Sequence, residues 1–436
     1  MKKEINFKLK DFWQIFLLIA LPIICVGGAS AFPLFLKQPL IYLTGILFVF
    51  MFILSDIKIH LNSVTVSAFL FLAFVAVSLF YSYDRSSTLN LLLIYVCTFT
   101  LLFLDLPAKR YSQILTVMYV ICIVIAFSII LSALVENCML TYFKFIVNPL
   151  GTASVNESIH NELAIGTYSG FAREKTEAAY ILNVGIAVSF AKYFSSGKIS
   201  KKDLFFLAVF LIALMLTGKR TLFVICIICF AIFMIVSKMH SKVFTAACII
   251  LIALGTLFFI VMFVPKAANI FNRFMDSENL ETLGNRDILW GYLYQMILDC
   301  WKFGAGFGAF NKYIRIHGMT VGNKEWQYNG HNSYLQALGE LGIIGSALLL
   351  AFVVFSLVLS FRVLKKISSD KENSYLLFFS LYIQLMMLIY GVTGNPIYSK
   401  QIVFCWFFAI GIMLSLYIRN CRPDLHMRKR SIRKYE

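Results

Sequence analysis

Apolar residues occur along this chain in long runs that short polar segments interrupt, and a membrane-spanning helix needs about 20 apolar residues. Twelve runs come near that length. They are 12–31, 39–55, 64–81, 90–105, 113–135, 178–194, 204–217, 221–237, 243–264, 343–361, 375–392 and 401–418. The pattern predicts an all-α integral membrane protein with about twelve transmembrane helices, in which residues 1–436 form a single polytopic membrane domain.

The polar segments between the runs differ in length. Runs 204–217 and 221–237 are short and nearly contiguous, which predicts a tight helical hairpin. The segments 136–177 and 265–342 are long, and the second contains the amphipathic stretch Ile288 to Leu298. Such a stretch is typical of a helix that lies at a membrane interface.

Composition excludes a soluble protein. The apolar set makes up 60% of the chain, charged residues make up 14%, and mean hydropathy is +0.81. Soluble domains have roughly 45–50% apolar and about 25% charged residues. Disordered chains and disulfide-rich secreted modules are excluded by the same values.

The distribution of basic residues predicts the orientation. The net charge is +17, and with a cytoplasmic N-terminus the inside segments hold 23 of the 39 Lys and Arg residues. Basic residues collect in cytoplasmic loops and attract anionic lipid. We therefore expect both termini in the cytoplasm, a basic cytoplasmic tail at 419–436, and membrane lipids rather than nucleic acid as partners.

Residues 1–31 fit two interpretations. A basic start, an apolar run and Ala29-Ser30-Ala31 are typical of a cleavable signal peptide. An uncleaved first span is the interpretation that we favour, and neither interpretation changes the orientation of the later spans.

Two cations break the charge pattern, because Lys219 and Arg220 fall in the small outside turn of the predicted hairpin. Positive charge there disfavours insertion. The two side chains either extend to the interface as a structural pair or hold an anionic ligand, for which the planar guanidinium of arginine is well suited.

Arg286 is a further candidate, in the outside segment Gly284 to Trp290. It precedes the amphipathic stretch, and Asn285 or Asp287 is positioned to cap that helix. The alternative is an ordinary surface pair between Arg286 and Asp287.

His331 leads into the tenth predicted span, and a helix would place His331, Tyr334, Leu338, Gly342 and Gly345 on one face. Glycine recurs every third residue at 339, 342 and 345, which indicates close approach by another helix. We expect the imidazole at the outer rim of a tightly packed site.

These motifs resemble the O-antigen ligase family, whose members join O-polysaccharide to the lipid A–core of lipopolysaccharide. His331-Asn332 followed by Gly342-x-x-Gly345 is similar to the family signature, and Gly218-Lys219-Arg220 is similar to its arginine turn. The segments 284–290 and 304–310 resemble the stretch that carries its second arginine. The resemblance covers roughly residues 200–360 by motif.

The resemblance implies a GT-C-like glycosyltransferase in the inner membrane of a Gram-negative bacterium. The donor would be polysaccharide on undecaprenyl pyrophosphate, and the acceptor a sugar hydroxyl of lipid A–core. The site would face the periplasm, and residues 265–342 would be a large periplasmic loop that carries part of it.

The residue roles follow from that chemistry. His331 is the expected general base, and Arg220 and Arg286 are the expected catalytic groups that hold the pyrophosphate leaving group. Lys219, Asn332 and Tyr334 are expected to bind substrate.

We expect no metal and no other cofactor, since arginines supply the positive charge that a divalent ion would bring. Asp276 and Glu278 have the spacing of a carboxylate metal site, although a solvated loop explains them as well. A single displacement with inversion is expected because no protein nucleophile is evident.

Other functions remain open. O-antigen polymerases share much of this pattern and join lipid-linked repeats instead. A lipid-linked oligosaccharide flippase or another transporter also suits twelve spans, but the chain shows no internal repeat. A structural scaffold leaves Arg220 and His331 unexplained.

Overall fold

The computed structural model describes residues 2–28, 34–54, 60–135, 137–148, 153–172, 174–198, 200–237, 286–318, 329–367 and 370–421. All regular secondary structure within these ranges is helical. The α-helices are α1 Lys2–Val26, α2 Leu34–Leu54, α3 Ser63–Ser78, α4 Arg85–Phe99, α5 Ala108–Leu134, α6 Cys138–Thr141, α7 Lys144–Val147, α8 Ala153–Ile165, α9 Lys175–Ser196, α10 Lys201–Leu216, α11 Arg220–Val236, α12 Arg286–Cys300, α13 Phe310–Ile316, α14 Ser333–Ile367, α15 Lys371–Tyr390 and α16 Lys400–Cys421. Short 3₁₀ helices lie at Thr100–Phe103 and Pro396–Tyr398.

Seven membrane-spanning candidates occur among the described residues, and they are long and apolar enough to cross a bilayer. Shorter apolar helices are Asp11–Val26, Ser63–Ser78 and Arg220–Val236. The chain is therefore a multi-pass membrane protein. The predicted span 243–264 lies outside the described residues, so the total of twelve stays a prediction.

The centre of the bundle is formed by α9, α15 and α16, which are buried along most of their length. Helix α9 packs on α15, α10 and α5, and α15 packs on α16. By contrast, α2 and α14 bury only a third of their apolar windows. Apolar side chains that remain exposed on these outer helices suit contact with lipid.

The order of the helices defines two ends of the bundle. Helix α9 begins at Lys175 at one end and reaches the other end near Lys192, which forms a 2.8 Å ion pair with Asp203 at the start of α10. At that second end Arg419 also pairs with Asp105 at 2.8 Å. The first end carries the turn from α10 to α11, the start of α14 and the end of α15.

Helix α1 is an integral part of the bundle. Its side chains Trp13, Leu17 and Leu21 belong to the common core, and it packs against α5 and α16. Retention of this first span stays a prediction.

The predicted hairpin is confirmed, because α10 ends at Leu216 and α11 begins at Arg220. A helix over the predicted amphipathic stretch is also present as α12, which buries Leu289, Leu293 and Met296. It packs on α14.

Candidate active site

Helix α14 is broken at Gly342, where φ is 63° and ψ is −172°. The backbone of residues 301–306 takes over the hydrogen bonds that the break releases. The amide of Ile343 donates to the carbonyl of Trp301 at 2.8 Å, while the freed carbonyls of Gly339 and Glu340 accept from Ala305 at 3.1 Å and Gly306 at 2.8 Å. The break thus has a structural partner that satisfies its polar groups.

Glycine is required at this break. A Cβ on Gly342 would meet the carbonyl of Lys302, and its positive φ is unfavourable for other residues. The expected close approach at the glycine repeat is therefore present at Gly342. At Gly342 it comes from the backbone of the 301–306 loop, whereas at the other two glycines it comes from helices, with Met296 of α12 nearest Gly339 and Phe74 of α3 nearest Gly345.

The single helical face predicted for His331, Tyr334, Leu338, Gly342 and Gly345 is wrong. His331 lies before the helix with a left-handed backbone, φ 49°, and Gly342 interrupts the helix after it. The 3.6-residue periodicity therefore does not run through this segment, since it applies only to continuous helix.

Asn332 and Tyr334 make structural contacts next to His331. The Asn332 side chain accepts hydrogen bonds from the amides of Tyr334 at 3.0 Å and Leu335 at 3.1 Å, which caps the start of α14. The Tyr334 hydroxyl donates to the carbonyl of Leu388 on α15. Their substrate-binding roles stay predictions.

Arg286 is the first residue of α12, and the position of this helix is fixed by its contacts with the His331 turn. The indole N–H of Trp290 donates to the carbonyl of Gly330 at 3.0 Å. Asn285, one of the two predicted caps, lies outside the described residues, and Asp287 is exposed in the first turn.

Lys219 lies in the turn that joins α10 to α11 and directly precedes α11. Its amide donates to the Thr217 hydroxyl at 3.3 Å, and Gly218 adopts φ 68°. Arg220 follows as the first residue of α11 and is half-buried.

Lys219, Arg286 and His331 lie within reach of one another's charges, and we call these three residues the cationic cluster. Partial burial lowers the pKa of His331 below its usual 6.5, and the positive charges of Arg286 and Lys219 lower it further. Burial lowers the pKa of Lys219 to about 8, and Lys175 and Arg286 add to this effect. The three groups, far apart along the chain, are therefore close enough for their charges to act on one another.

Acidic residues also border the cationic cluster. The charges of Glu174 and Glu162 act on Lys219 in the opposite sense to Lys175. Burial raises the pKa of Glu162, whose carboxylate accepts from the Lys175 amide at 3.0 Å. These carboxylates limit the excess of positive charge without removing it.

Several residues of this region were missed by sequence reasoning, among them Lys175, Glu174 and the buried side chains of Gln336 and Glu340. Glu340 was open to detection, because a carboxylate that leads into an apolar span is costly to bury and usually has a specific role. Lys175 and Glu174 had no such signal, since they precede an ordinary span.

The metal prediction remains untested. Among the described residues, no group of three or more His, Cys, Asp or Glu side chains is arranged to hold a metal ion. Asp276 and Glu278 lie outside those residues, so independence from metal stays a prediction.

The cationic cluster combines two chemical capabilities. Fixed cations in a partly desolvated site bind and stabilise a polyanion. An imidazole with a lowered pKa is neutral at physiological pH and can accept a proton. Together they suit the departure of an anionic group and the deprotonation of a nucleophile.

Comparison with known proteins supports this chemistry. A search of curated proteins finds no match for this chain. A family model described as O-antigen ligase matches residues 205–350, a segment that contains Lys219, Arg220, Arg286 and His331. The domain is found in O-antigen ligases and polymerases, which indicates an enzyme that transfers glycosyl groups from lipid-linked polysaccharide. Residues 205–350 of this membrane protein thus match the O-antigen ligase family model.

Proposed function

We propose that this protein is an O-antigen ligase of a Gram-negative inner membrane. It transfers polysaccharide from undecaprenyl pyrophosphate to a sugar hydroxyl of lipid A–core at the periplasmic side, without a metal ion. The observation that carries the proposal is the convergence of Lys219, Arg286 and His331 at one end of the bundle, inside the matched segment.

The proposed reaction is a single displacement. The acceptor hydroxyl oxygen attacks the anomeric carbon of the donor, and the bond from that carbon to the pyrophosphate oxygen breaks. His331 takes the hydroxyl proton, and the pyrophosphate leaves with the bonding electron pair. The configuration at the anomeric carbon is inverted because only one displacement occurs.

The cations act on the leaving group. Negative charge grows on the pyrophosphate as the bond breaks, and a fixed donor in a water-poor site lowers the barrier by about 3–4 kcal/mol. We assign this role to Arg286 and Arg220, with Lys219 as a further contact to the donor. Arg220 adjoins Lys219 at the start of α11, which supports its inclusion.

The second candidate is an O-antigen polymerase, because the matched family domain occurs in both enzymes. The donor and the cationic cluster would serve in the same way, and only the acceptor differs. Lipopolysaccharide gel profiles of a deletion strain separate the two. Loss of a ligase leaves bare core and polymer on the carrier lipid, whereas loss of a polymerase leaves core with a single repeat.

The base assignment has a direct test in the same strain. We expect His331→Ala to remain in the membrane and to lose transfer by about 10²–10⁴-fold, as for removal of a general base. His317→Ala is the matched control, because His317 is also a loop histidine but stacks on Tyr313 at 4.1 Å. A normal lipopolysaccharide ladder from His331→Ala would contradict the assignment.

A further inference from the structure

Two buried polar side chains lie on the first segment of α14, close behind His331 in the sequence. Gln336 and Glu340 are 4% and 0% exposed. They are one helical turn apart, and the side-chain amide nitrogen Nε2 of Gln336 donates to Glu340 Oε1 at 3.0 Å. We call them the Gln336–Glu340 pair.

Four donors meet the Glu340 carboxylate. They are the amides of Gly308 at 2.6 Å and Phe310 at 3.0 Å, the Gln336 side chain at 3.0 Å and the Tyr398 hydroxyl at 2.7 Å. Each carboxylate oxygen accepts two of these bonds. The carboxylate therefore joins the glycine-rich loop 304–310 and the 3₁₀ turn Pro396–Tyr398 to α14.

Gln336 extends this network to His331. Its Oε1 accepts from the amide of Gly330 at 3.0 Å and from the Asn395 side chain. Gly330 directly precedes His331, and its carbonyl accepts from Trp290 on the helix that begins with Arg286. One side-chain oxygen thus connects the turn of the proposed base to the fixed framework of the site.

The backbone of His331 needs such support. A residue other than glycine with φ of 49° is disfavoured and persists only when its surroundings hold it. Gln336 holds Gly330 on one side, and on the other side the Ser333 amide donates to the carbonyls of Gly391 at 2.8 Å and Gly394 at 3.0 Å. Loss of the Gln336 contact would free one end of the turn.

We propose that the Gln336–Glu340 pair are positioning residues that fix the His331 imidazole beside Arg286 and Lys219. Neither is a catalytic residue, because both are buried and bonded to the protein. The inference rests on the proposed role of His331 as the base.

The first test measures His331 without any substrate. Purified full-length protein is treated with diethylpyrocarbonate over a range of pH, and carbethoxylation of the His331 peptide is quantified by mass spectrometry. We call the pH of half-maximal modification of His331 the midpoint. In the wild type it lies below 6.5, since burial and the charges of Arg286 and Lys219 disfavour the imidazolium. In Glu340→Gln an amide N–H₂ must face two donors, so the turn loosens and the midpoint moves towards 6.5.

A second variant and a control complete this test. Gln336→Met keeps the side-chain volume but removes the acceptor for Gly330, and we expect the same shift. Gln384→Met is the matched control, because Gln384 is 2% exposed and bonds Ser360 at 2.9 Å and Ser380 at 3.1 Å on α14 and α15. Its midpoint should equal that of the wild type even if its thermal stability falls.

The midpoint is measured for whichever of Glu340→Gln and Gln336→Met accumulates in the membrane. If neither does, Tyr398→Phe, which removes one donor to Glu340, takes their place. A wild-type midpoint in the folded variant would overturn the inference, because a purely structural role lowers stability without changing the environment of His331.

Activity separates this inference from the proposed function. We expect Gln336→Met to lower kcat by about tenfold or more with little change in KM for the lipid-linked donor, as expected for a misplaced base. If His331→Ala is fully active and the midpoint still shifts, the base assignment fails and the positioning network stands. If His331→Ala is inactive and the midpoint is unchanged, the positioning inference alone fails.

Discussion

Two cationic regions lie at the same end of the bundle, and the start of α9 borders both. Lys37 is 3% exposed and donates to Glu177 at 3.1 Å and to Gln401 at 3.3 Å. Lys219 instead has Lys175, Arg286 and His331 among the groups that its charge reaches. Lys37 forms a direct ion pair with a carboxylate, whereas Lys219 shares its surroundings with further cations as well as with Glu174 and Glu162.

The difference separates a structural lysine from a binding lysine. A paired buried charge holds α2, α9 and α16 together and presents little charge to a ligand. Cations that lie together repel one another, and a polyanion that binds between them removes that repulsion. The arrangement around Lys219 therefore fits the pyrophosphate of the proposed donor, and the arrangement around Lys37 does not.

Among the substitutions that test this comparison of the two cationic regions, the largest effect is expected from Arg286. Arg286→Gln should lower transfer from a lipid-linked donor by about 10²–10³-fold, because the developing charge on pyrophosphate loses a fixed donor. Arg286→Lys should recover only part of this, since a lysine lacks the planar fork of arginine.

Transfer by purified protein checks both variants, with Arg315→Gln as the control. Arg315 is exposed on α13 in the same loop. Equal rates for Arg286→Gln and Arg315→Gln would remove Arg286 from the mechanism.

Substitutions in the Lys37–Glu177 ion pair should change the stability of the protein and not its rate of glycosyl transfer. Lys37→Met removes the cation that pairs with the half-buried Glu177, and breaking this pair costs up to about 3–5 kcal/mol. We expect a lower Tm with a normal transfer rate per folded molecule. The double variant Lys37→Met with Glu177→Leu should recover stability, because neither charge is then buried. A double variant no more stable than the single one would show that the ion pair is not what Lys37→Met disrupts.

The pH dependence of kcat/KM is expected to show the smallest effect, and it compares Lys219 with Lys37 most directly. The base must be neutral, so kcat/KM should fall as pH drops through the pKa of His331, which lies below 6.5. Lys219 must be charged, so kcat/KM should fall again as pH rises through about 8. Lys219→Arg should remove the alkaline decline and keep the acidic one, since arginine stays protonated.

If kcat/KM of Lys219→Arg still falls at high pH, that fall is caused by the titration of another group. Lys37→Arg is the matched control and should leave both limbs unchanged, because Lys37 is bonded to Glu177 and not to the cationic cluster.

Much of the fold was predictable because lipid permits few alternatives. A backbone that crosses a bilayer must satisfy its hydrogen bonds internally, so apolar runs of sufficient length become helices. The predicted hairpin succeeded for a local reason, since Gly218 adopts the left-handed backbone that a turn between two helices requires. The candidates were recognisable from local signals: Lys219 is a cation in the turn between two spans, Arg286 precedes the amphipathic stretch, and His331 precedes the glycine repeat.

The prediction for 331–345 failed where a distant segment intervened. A periodicity argument assumes an unbroken helix, but the 301–306 loop inserts its backbone at Gly342 and takes over the local hydrogen bonds. Nothing in residues 331–345 alone specifies that partner. The partners of the Gln336–Glu340 pair were not predictable for the same reason, because its donors come from 308–310, 330 and 395–398.

The sequence by itself determined the membrane class, the long apolar helices and the residue types available for chemistry, because hydrophobicity and charge act along the chain. Only the tertiary structure decided which cations share a site, since Lys37 and Lys219 look alike in sequence and differ in their neighbours. It also decided the left-handed turn at His331, which exists because contacts from three other segments hold it. Long-range hydrogen bonds and packed charges depend on residues far apart in the chain, and no local pattern encodes them.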